Sequence, residues 1–258
     1  MSRAPLDRRT FTARLRNIGA ASYHHKHPFH ERMNSGELDP QALQTWVANR
    51  LYYQTSIPLK DAALISNCPV REVRRIWLHR IVDHDGTRGD EGGIGAWLRL
   101  GEACGLARKQ LLGGSLIVPG VRFAVDAYVH FAATQPWPIA VASSLTELFA
   151  PNLMAQRLEA FKRFYPWVKP RGLEYFQNRL TQAPRDSGEA LALTLTYCDT
   201  REMQDRAIAA LQFKCDLLWA MLDSIHLACS PRNSSPANPV ENRPGVADKK
   251  TAIRRARD

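Results

Sequence analysis

Arg50 and Gln54 stand four residues apart in Trp46-Val-Ala-Asn-Arg50-Leu-Tyr-Tyr-Gln54, so a helix would project them from one face. A cation and an amide backed by Trp46, Tyr52 and Tyr53 make a pocket wall suited to a small organic anion; a solvated helix face is the other reading. Lys60 follows in the same apolar stretch. Tyr175 and Arg179 repeat the four-residue spacing. A phenol beside a guanidinium can stabilise a developing oxyanion or a reduced oxygen species, or form an ordinary exposed pair. His84 lies between Asp83 and Asp85 where a helix should end. Both carboxylates and the helix terminus favour the imidazolium, which predicts a proton donor, or a histidine that caps carbonyls.

Thr146 and Glu147, with Arg157 further along the same segment, offer either more site residues or a buried polar network. Lys214 interrupts the apolar run from Leu211 to Trp219, where a lysine needs a partner: Asp216, Asp223 or a bound carboxylate. Arg50, Lys60, Arg157, Arg179 and Lys214, with His24 and His84, are too many cations to be separately paired in one core. A polyanionic small ligand would satisfy them together.

Other chemistries lack local support. No glutamate has a histidine three residues later, as a di-iron bundle needs, and His-Glu-x-x-His, Gly-x-Ser-x-Gly and phosphate-cradling glycine loops are absent. His24, His25, His27 and His30 resemble a metal cluster in composition but share no face of a regular structure, so no metal site is expected.

The elements that must position these groups read as helices. Asp39-Pro40 is an N-cap with proline at the first helical position. Helical spacing continues through Pro69 to Asp83, from Pro119 through Phe131, and from Pro138 as one long helix towards Arg163. Gly172 to Leu180 and Pro184 to Tyr197 form two more. Asp199-x-x-Glu202 reads as a capping box before the last helix, which is apolar nearly all round and so is expected to be buried. The prediction is an all-α bundle of about seven helices wrapped on a C-terminal one.

The 258 residues suffice for a single domain over 1–230, followed by a Pro-, Asn- and Ser-rich segment that is expected to be disordered, 231–258. Seven Lys/Arg against three Asp/Glu give that tail +4 of the chain's +10, leaving +6 for the rest. Its Lys249-Lys250 and Arg254-Arg255-Ala-Arg257 cluster reads as a weak polyanion contact or a solubilising tail. No stretch has the length of a transmembrane helix and no signal peptide is evident, so the cytoplasm is expected. Five scattered cysteines without Cys-x-x-Cys exclude a disulfide framework and a zinc ribbon.

Several ordered motifs between about residues 20 and 229 resemble the pyrroloquinoline-quinone synthase family. They include Tyr23-His-x-x-His-Pro, Trp46-Val-Ala-Asn-Arg-x-Tyr-Tyr-Gln-Thr-x-Ile-Pro-Leu-Lys-Asp-Ala, Asp83-His-Asp-Gly, Ser143-Ser-Leu-Thr-Glu-Leu-Phe-Ala-Pro and Leu211-Gln-Phe-Lys-x-Asp-x-Leu-Trp. The resemblance implies a heme-oxygenase-like fold, usually a homodimer, with no metal or redox cofactor. It implies ring closure of a bicyclic tricarboxylate and its oxidation by molecular oxygen to pyrroloquinoline quinone, with release of hydrogen peroxide. A quinone carrier protein is an implied partner; membrane and nucleic acid are not.

Carried over by motif, Tyr23, His24, Arg50, Gln54, Lys60, Arg80, Tyr128, Thr146, Glu147, Arg157 and Lys214 would hold the substrate. His84, Tyr175 and Arg179 would face oxygen and assist proton removal. Met154 departs from the family pattern, which usually has a histidine there, and this puts part of the proton relay in question. A thiamin-type hydrolase on the same bundle and a non-catalytic quinone-binding relative are the alternatives.

Overall fold

The computed structural model describes residues 3–230, so the expected tail lies outside the described residues. Its helices are α1 (Arg8–Ser22), α2 (Pro28–Ser35), α3 (Pro40–Asn67), α4 (Arg71–Asp85), α5 (Gly92–Ala103) and α6 (Arg108–Gly113), then α7 (Pro119–Thr134), α8 (Trp137–Ser143), α9 (Ala150–Phe164), α10 (Glu174–Tyr197) and α11 (Arg201–Cys229). The described residues contain no strand, only an isolated bridge between Thr87 and Asp90. The all-α expectation holds, with more helices than the seven expected. The additions include α2, α6 and α8, of 8, 6 and 7 residues, which are too short to show a clear periodicity and depend on tertiary packing.

Local chemistry sets the boundaries. The Asp39 carboxylate accepts from Ala42 N at 2.7 Å, with Pro40 in the first turn of α3. At the start of α11 the cap is Thr200, whose hydroxyl accepts from Met203 N at 3.2 Å. The Asp199–Glu202 box is therefore one residue out of register: Asp199 only links Cys198, which ends α10, to that cap.

The helix expected from Pro138 to Arg163 is broken. A 3₁₀ segment, Ser144–Phe149, separates α8 from α9, and Pro151, which lacks an N–H, sits in the first turn of the restarted helix. Conversely, α10 runs unbroken through Pro184, where two helices were expected. Arg179 and Asp186 flank the proline and are bonded Nη1 to Oδ2 at 3.0 Å, tying the turns on either side together.

The C-terminal helix α11 packs on α1, α7 and α8 and buries Leu211, Cys215, Leu218, Met221 and Leu222. Each of these leucines and the methionine contributes about 1.5–3 kcal/mol on full burial. Lys214 is buried in the same stripe. Leu218, Met221 and Leu222 join one cluster with Trp46, Trp97, Phe161 and Phe176 of α3, α5, α9 and α10, whereas Leu211 and Cys215 belong to a second one with Trp77 and Trp137. The polar groups singled out in the sequence lie where these layers meet.

Candidate active site

A cavity of about 50 Å³ is enclosed by α3, α9, α10, α11, the end of α4 and two 3₁₀ segments, His24–Lys26 and Ser144–Phe149. Its wall brings together Tyr23, His24, Arg50, His84, Thr146, Glu147, Met154, Tyr175 and Arg179. Tyr53, Ile57, Ala150 and Leu218 complete it. A space of this size holds a water or two, whereas a drug-sized ligand takes about 300–1,000 Å³.

On one side the cations are paired. Arg80 and Arg179 donate to the two Glu147 oxygens at 2.7 and 3.0 Å. Asp186 accepts from Arg179 at 3.0 Å and from Arg185 Nε at 3.1 Å, and Arg185 also bonds Asp83. Burial would raise the Asp186 pKa, but Arg80 and Arg179 outweigh it and hold the carboxyl well below the usual range. Lys60 pairs with its neighbour Asp61 and donates to Ser144 Oγ at 3.2 Å; Asp61 also accepts from the Trp77 indole at 2.6 Å.

Lys60 and Arg80, both expected to hold substrate, thus face protein carboxylates and stand outside the cavity lining. The expectation that the core could not pair its cations is likewise too broad. It overlooked Asp61 and Asp186, both buried.

On the other side no such pairing occurs among the described residues. The Arg50 guanidinium lies 4.0 Å over the Tyr53 ring. Lys214 Nζ has no hydrogen-bond partner and sits 3.2 Å from the Tyr128 ring centroid and 4.3 Å from that of Tyr53. Two of its three expected partners are taken elsewhere: Asp216 accepts from Gln212 at 2.7 Å, and Asp223 pairs with His27 at 3.0 Å. Burial, then Arg50 and Lys60, push the Lys214 ammonium well below the ordinary lysine range. Arg157 packs 4.9 Å from the Trp46 ring, and its Nε is unpartnered. Burial, then Arg50, bring it down to about 9. Tyr128 and Arg157 stand behind the cavity lining.

His84 corrects a further expectation. Its Nδ1 lies 3.0 Å from the Arg80 carbonyl oxygen, so Nδ1 carries the proton and donates, leaving the lone pair on Nε2. Burial, then the nearby Arg179, lower its pKa to about 4. The adjacent carboxylates do not hold it as imidazolium, because successive helix positions do not face each other and Asp83 is bonded to Arg185. The resting imidazole is thus neutral, and its free nitrogen, Nε2, offers a lone pair and no proton.

Tyr175 donates to Gln54 Oε1 at 3.0 Å and meets Trp97 edge to face at 4.7 Å; burial raises its pKa, so it is a phenol. Gln54 orients Tyr175 from behind the wall. Burial raises the Tyr23 pKa, and burial followed by His30 lowers that of His24, whose Nδ1 is unpartnered. Met154 and Arg157 are both buried on the inner face of α9, and Met154 reaches the cavity.

Tyr53, which the sequence placed behind Arg50 and Gln54 as part of a pocket wall, does line the cavity, and its ring supports Lys214 as well as Arg50. The N-terminal histidines serve protein contacts: His27 accepts from Phe29 N at 3.0 Å and pairs with Asp223, and His30 bonds the His24 carbonyl. Ligand atoms of His79, Asp186 and Glu189 converge within 4.8 Å. Arg80, Arg179 and Arg185 crowd the same Asp186, however, so a metal cation there would meet three guanidiniums. No cysteine lines the cavity, and burial raises all five thiols, Cys215 to about 12, so none is a ready nucleophile.

The TENA/THI-4/PQQC family matches residues 12–224. A pyrroloquinoline-quinone synthase of Pseudomonas aeruginosa is 54% identical over 228 residues, covering 88% of this chain and 91% of that protein. Another, of Cronobacter sakazakii, is 55% identical over 218 residues, 84% of this chain and 86% of the relative. Among solved structures, a TenA homolog of Pseudomonas syringae superposes with a TM-score of 0.70 at 13% identity, covering 88% of this chain and 98% of its own. A Shewanella denitrificans domain with a heme oxygenase-like fold gives 0.66 at 14% identity, covering 85% and 90%. The heme-oxygenase-like bundle and the motifs around its cavity meet in one conclusion: the chain belongs to the TENA/THI-4/PQQC family.

Proposed function

We propose that this chain acts as a pyrroloquinoline-quinone synthase, closing the last ring of a bicyclic tricarboxylate and oxidising it with molecular oxygen, with release of hydrogen peroxide. The observation that carries this reading is a set of cations without a protein carboxylate on one side of the cavity: Arg50 in its wall, with Arg157 and Lys214 buried behind the lining. Desolvated cations without protein carboxylates favour a ligand that brings its own. The tricarboxylate that the family resemblance implies would bring three carboxylates, one for each.

Each two-electron oxidation removes two hydrogens from the ligand and delivers them to oxygen as hydrogen peroxide. An electron-rich ligand supplies the electrons itself, so the reading needs no resident metal or redox group. The protein then moves protons and steadies anions. Neutral His84 can accept a proton at Nε2 and the Tyr175 phenol can donate one, with Arg179 held beside them in the wall by Glu147 and Asp186. Tyr23, His24 and Thr146 shape the rest of the wall, with Glu147 holding Arg179. Gln54 and Arg80 act from behind through Tyr175 and Glu147, while Lys60 and Tyr128 meet at Ser144 outside the lining.

A homodimer, a carrier protein that receives the quinone, and a cytoplasmic setting accompany this reading. Among the described residues no helix is long and apolar enough to cross a membrane. The thiamin-type hydrolase reading lacks the thiolate it requires. The test is to mix metal-depleted protein with the bicyclic precursor in air. The expected result is growth of the quinone chromophore with matching oxygen uptake and peroxide release; a precursor that stays unchanged in air would refute the proposal.

A further inference from the structure

His30, on α2, is buried to 1% exposure, and nothing in the chemistry above uses it. Its Nδ1 lies 3.0 Å from the His24 carbonyl oxygen. A carbonyl only accepts, so Nδ1 carries the ring proton and Nε2 the lone pair. Arg157 Nη2, which can only donate, lies 3.1 Å from that Nε2. Both bonds are made at once only by the neutral imidazole in this one tautomer. Burial, then the charges of Arg157 and Arg50, hold His30 well below the ordinary histidine range, in keeping with that form.

The choice of partner matters because Arg157 is buried and no carboxylate among the described residues pairs with it. On the opposite side of the cavity, Arg80 and Arg179 are fixed by carboxylates and thereby neutralised. Here the guanidinium is fixed by a neutral acceptor, with the Trp46 ring at 4.9 Å on its face. We propose that His30 is a positioning residue that locks Arg157 in place without neutralising it, so that the guanidinium keeps its charge for a ligand carboxylate. The His24 carbonyl sets the tautomer, which links the 3₁₀ segment at the cavity wall to the cation behind it. This proposal rests on the tricarboxylate reading of the cavity.

The test titrates wild type, H30Q, H30N and H30E with pyrroloquinoline quinone, with thermal unfolding of each as a check on folding. Glutamine keeps an acceptor near the place of Nε2, whereas asparagine keeps only a donor near that of Nδ1. Glutamine and glutamate share a shape and differ in charge. H30Q should bind within about threefold of wild type, H30N about tenfold more weakly and H30E about a hundredfold more weakly, in line with the loss of one desolvated charge contact. With precursor, the loss should appear in KM more than in kcat, because the contact is made in ground and transition states alike.

If wild type binds the quinone and H30E binds it as tightly as H30Q, the assignment of His30 is overturned while the function stands. If H30E does not fold, equal affinities of H30N and H30Q overturn it in the same way. Wild type that ignores the quinone would overturn the tricarboxylate reading, and the role of His30 with it.

Discussion

On the α4–α10 side of the cavity, Arg80, Arg179 and Arg185 face Glu147, Asp186 and Asp83, three cations to three carboxylates. On the α3–α9–α11 side, Arg50, Arg157 and Lys214 have only aromatic rings and one neutral imidazole. Both sides bury guanidinium groups, so burial alone does not distinguish a ligand-binding cation from a structural one. Charge balance does. A balanced ladder contributes order to the fold and little net potential, whereas unbalanced cations raise the energy of the empty protein and lower it when an anion arrives.

The largest expected effects set the two sides against each other. Arg80→Met removes one partner of a buried network and should cost about 3–5 kcal/mol of unfolding free energy. Arg157→Met, Arg50→Met and Lys214→Met remove charges that nothing balances, and should each weaken quinone binding by about 2–5 kcal/mol while leaving the fold intact. Urea unfolding and quinone titration on the same four proteins read both quantities. If the two sets respond alike in both assays, the distinction fails.

A second effect, of about 3 kcal/mol, comes from the proton balance of His84. Its pKa falls from the ordinary 6.5 to about 4 through burial and then Arg179. Between these values the unfolded chain binds a proton that the folded chain refuses, so stability rises with pH across the window. The contribution is complete above about pH 6.5 and is lost as the pH falls to about 4. Each pKa unit is worth about 1.4 kcal/mol, which gives the total. His84→Asn keeps a donor for the Arg80 carbonyl but does not titrate. Its stability should therefore fall less steeply over that range than that of wild type, and parallel curves would show that His84 is not the group that resists protonation.

These contrasts also show how far the sequence could be read. The register of Arg50 and Gln54 on α3, the shared face of Tyr175 and Arg179, and the buried stripe of α11 all follow from helical spacing, and the structure has them. The charge balance was not legible. Lys60 and Asp61 are neighbours in the chain, a spacing that normally points side chains apart on a helix, and only the flexible lysine stem lets them meet. Asp186 and Arg179 meet across Pro184, which reads as a helix break until tertiary contacts hold the two turns together. His30 and Arg157 are separated by 127 residues, so nothing local marks the histidine as the partner of the arginine. Sequence separation hid the state of His84 too, since its pKa is lowered by burial and then by Arg179 on another helix.

Met154 lies between the two sides, buried on α9 one turn before Arg157 and touching the cavity. A thioether fills space and accepts hydrogen bonds weakly, but it carries no proton. The protein should therefore bind precursor and quinone normally and run one proton-transfer step slowly. Met154→His should speed that step by about a hundredfold, the lower end for a positioned acid or base, because neutral His24 and His84 already line the same space. Superimposable stopped-flow traces for the two proteins would remove position 154 from the relay.

The smallest expected effect tests whether the unbalanced side is held at a cost. Lys214 is buried without a hydrogen bond, and an apolar chain of similar length in its place should stabilise the empty protein. The gain should be modest, because the ammonium already draws on the faces of Tyr128 and Tyr53 at 3.2 and 4.3 Å from their centroids. Lys214→Met should raise the unfolding free energy of the ligand-free protein by about 1 kcal/mol, near the lower end for replacing a buried ion with a packed apolar group. With saturating quinone the order should reverse, since a ligand stabilises a protein only in proportion to how tightly it binds. A lysine protein that is the more stable of the two in both states would mean that Tyr53 and Tyr128 satisfy the charge on their own. Lys214 would then belong with the balanced side.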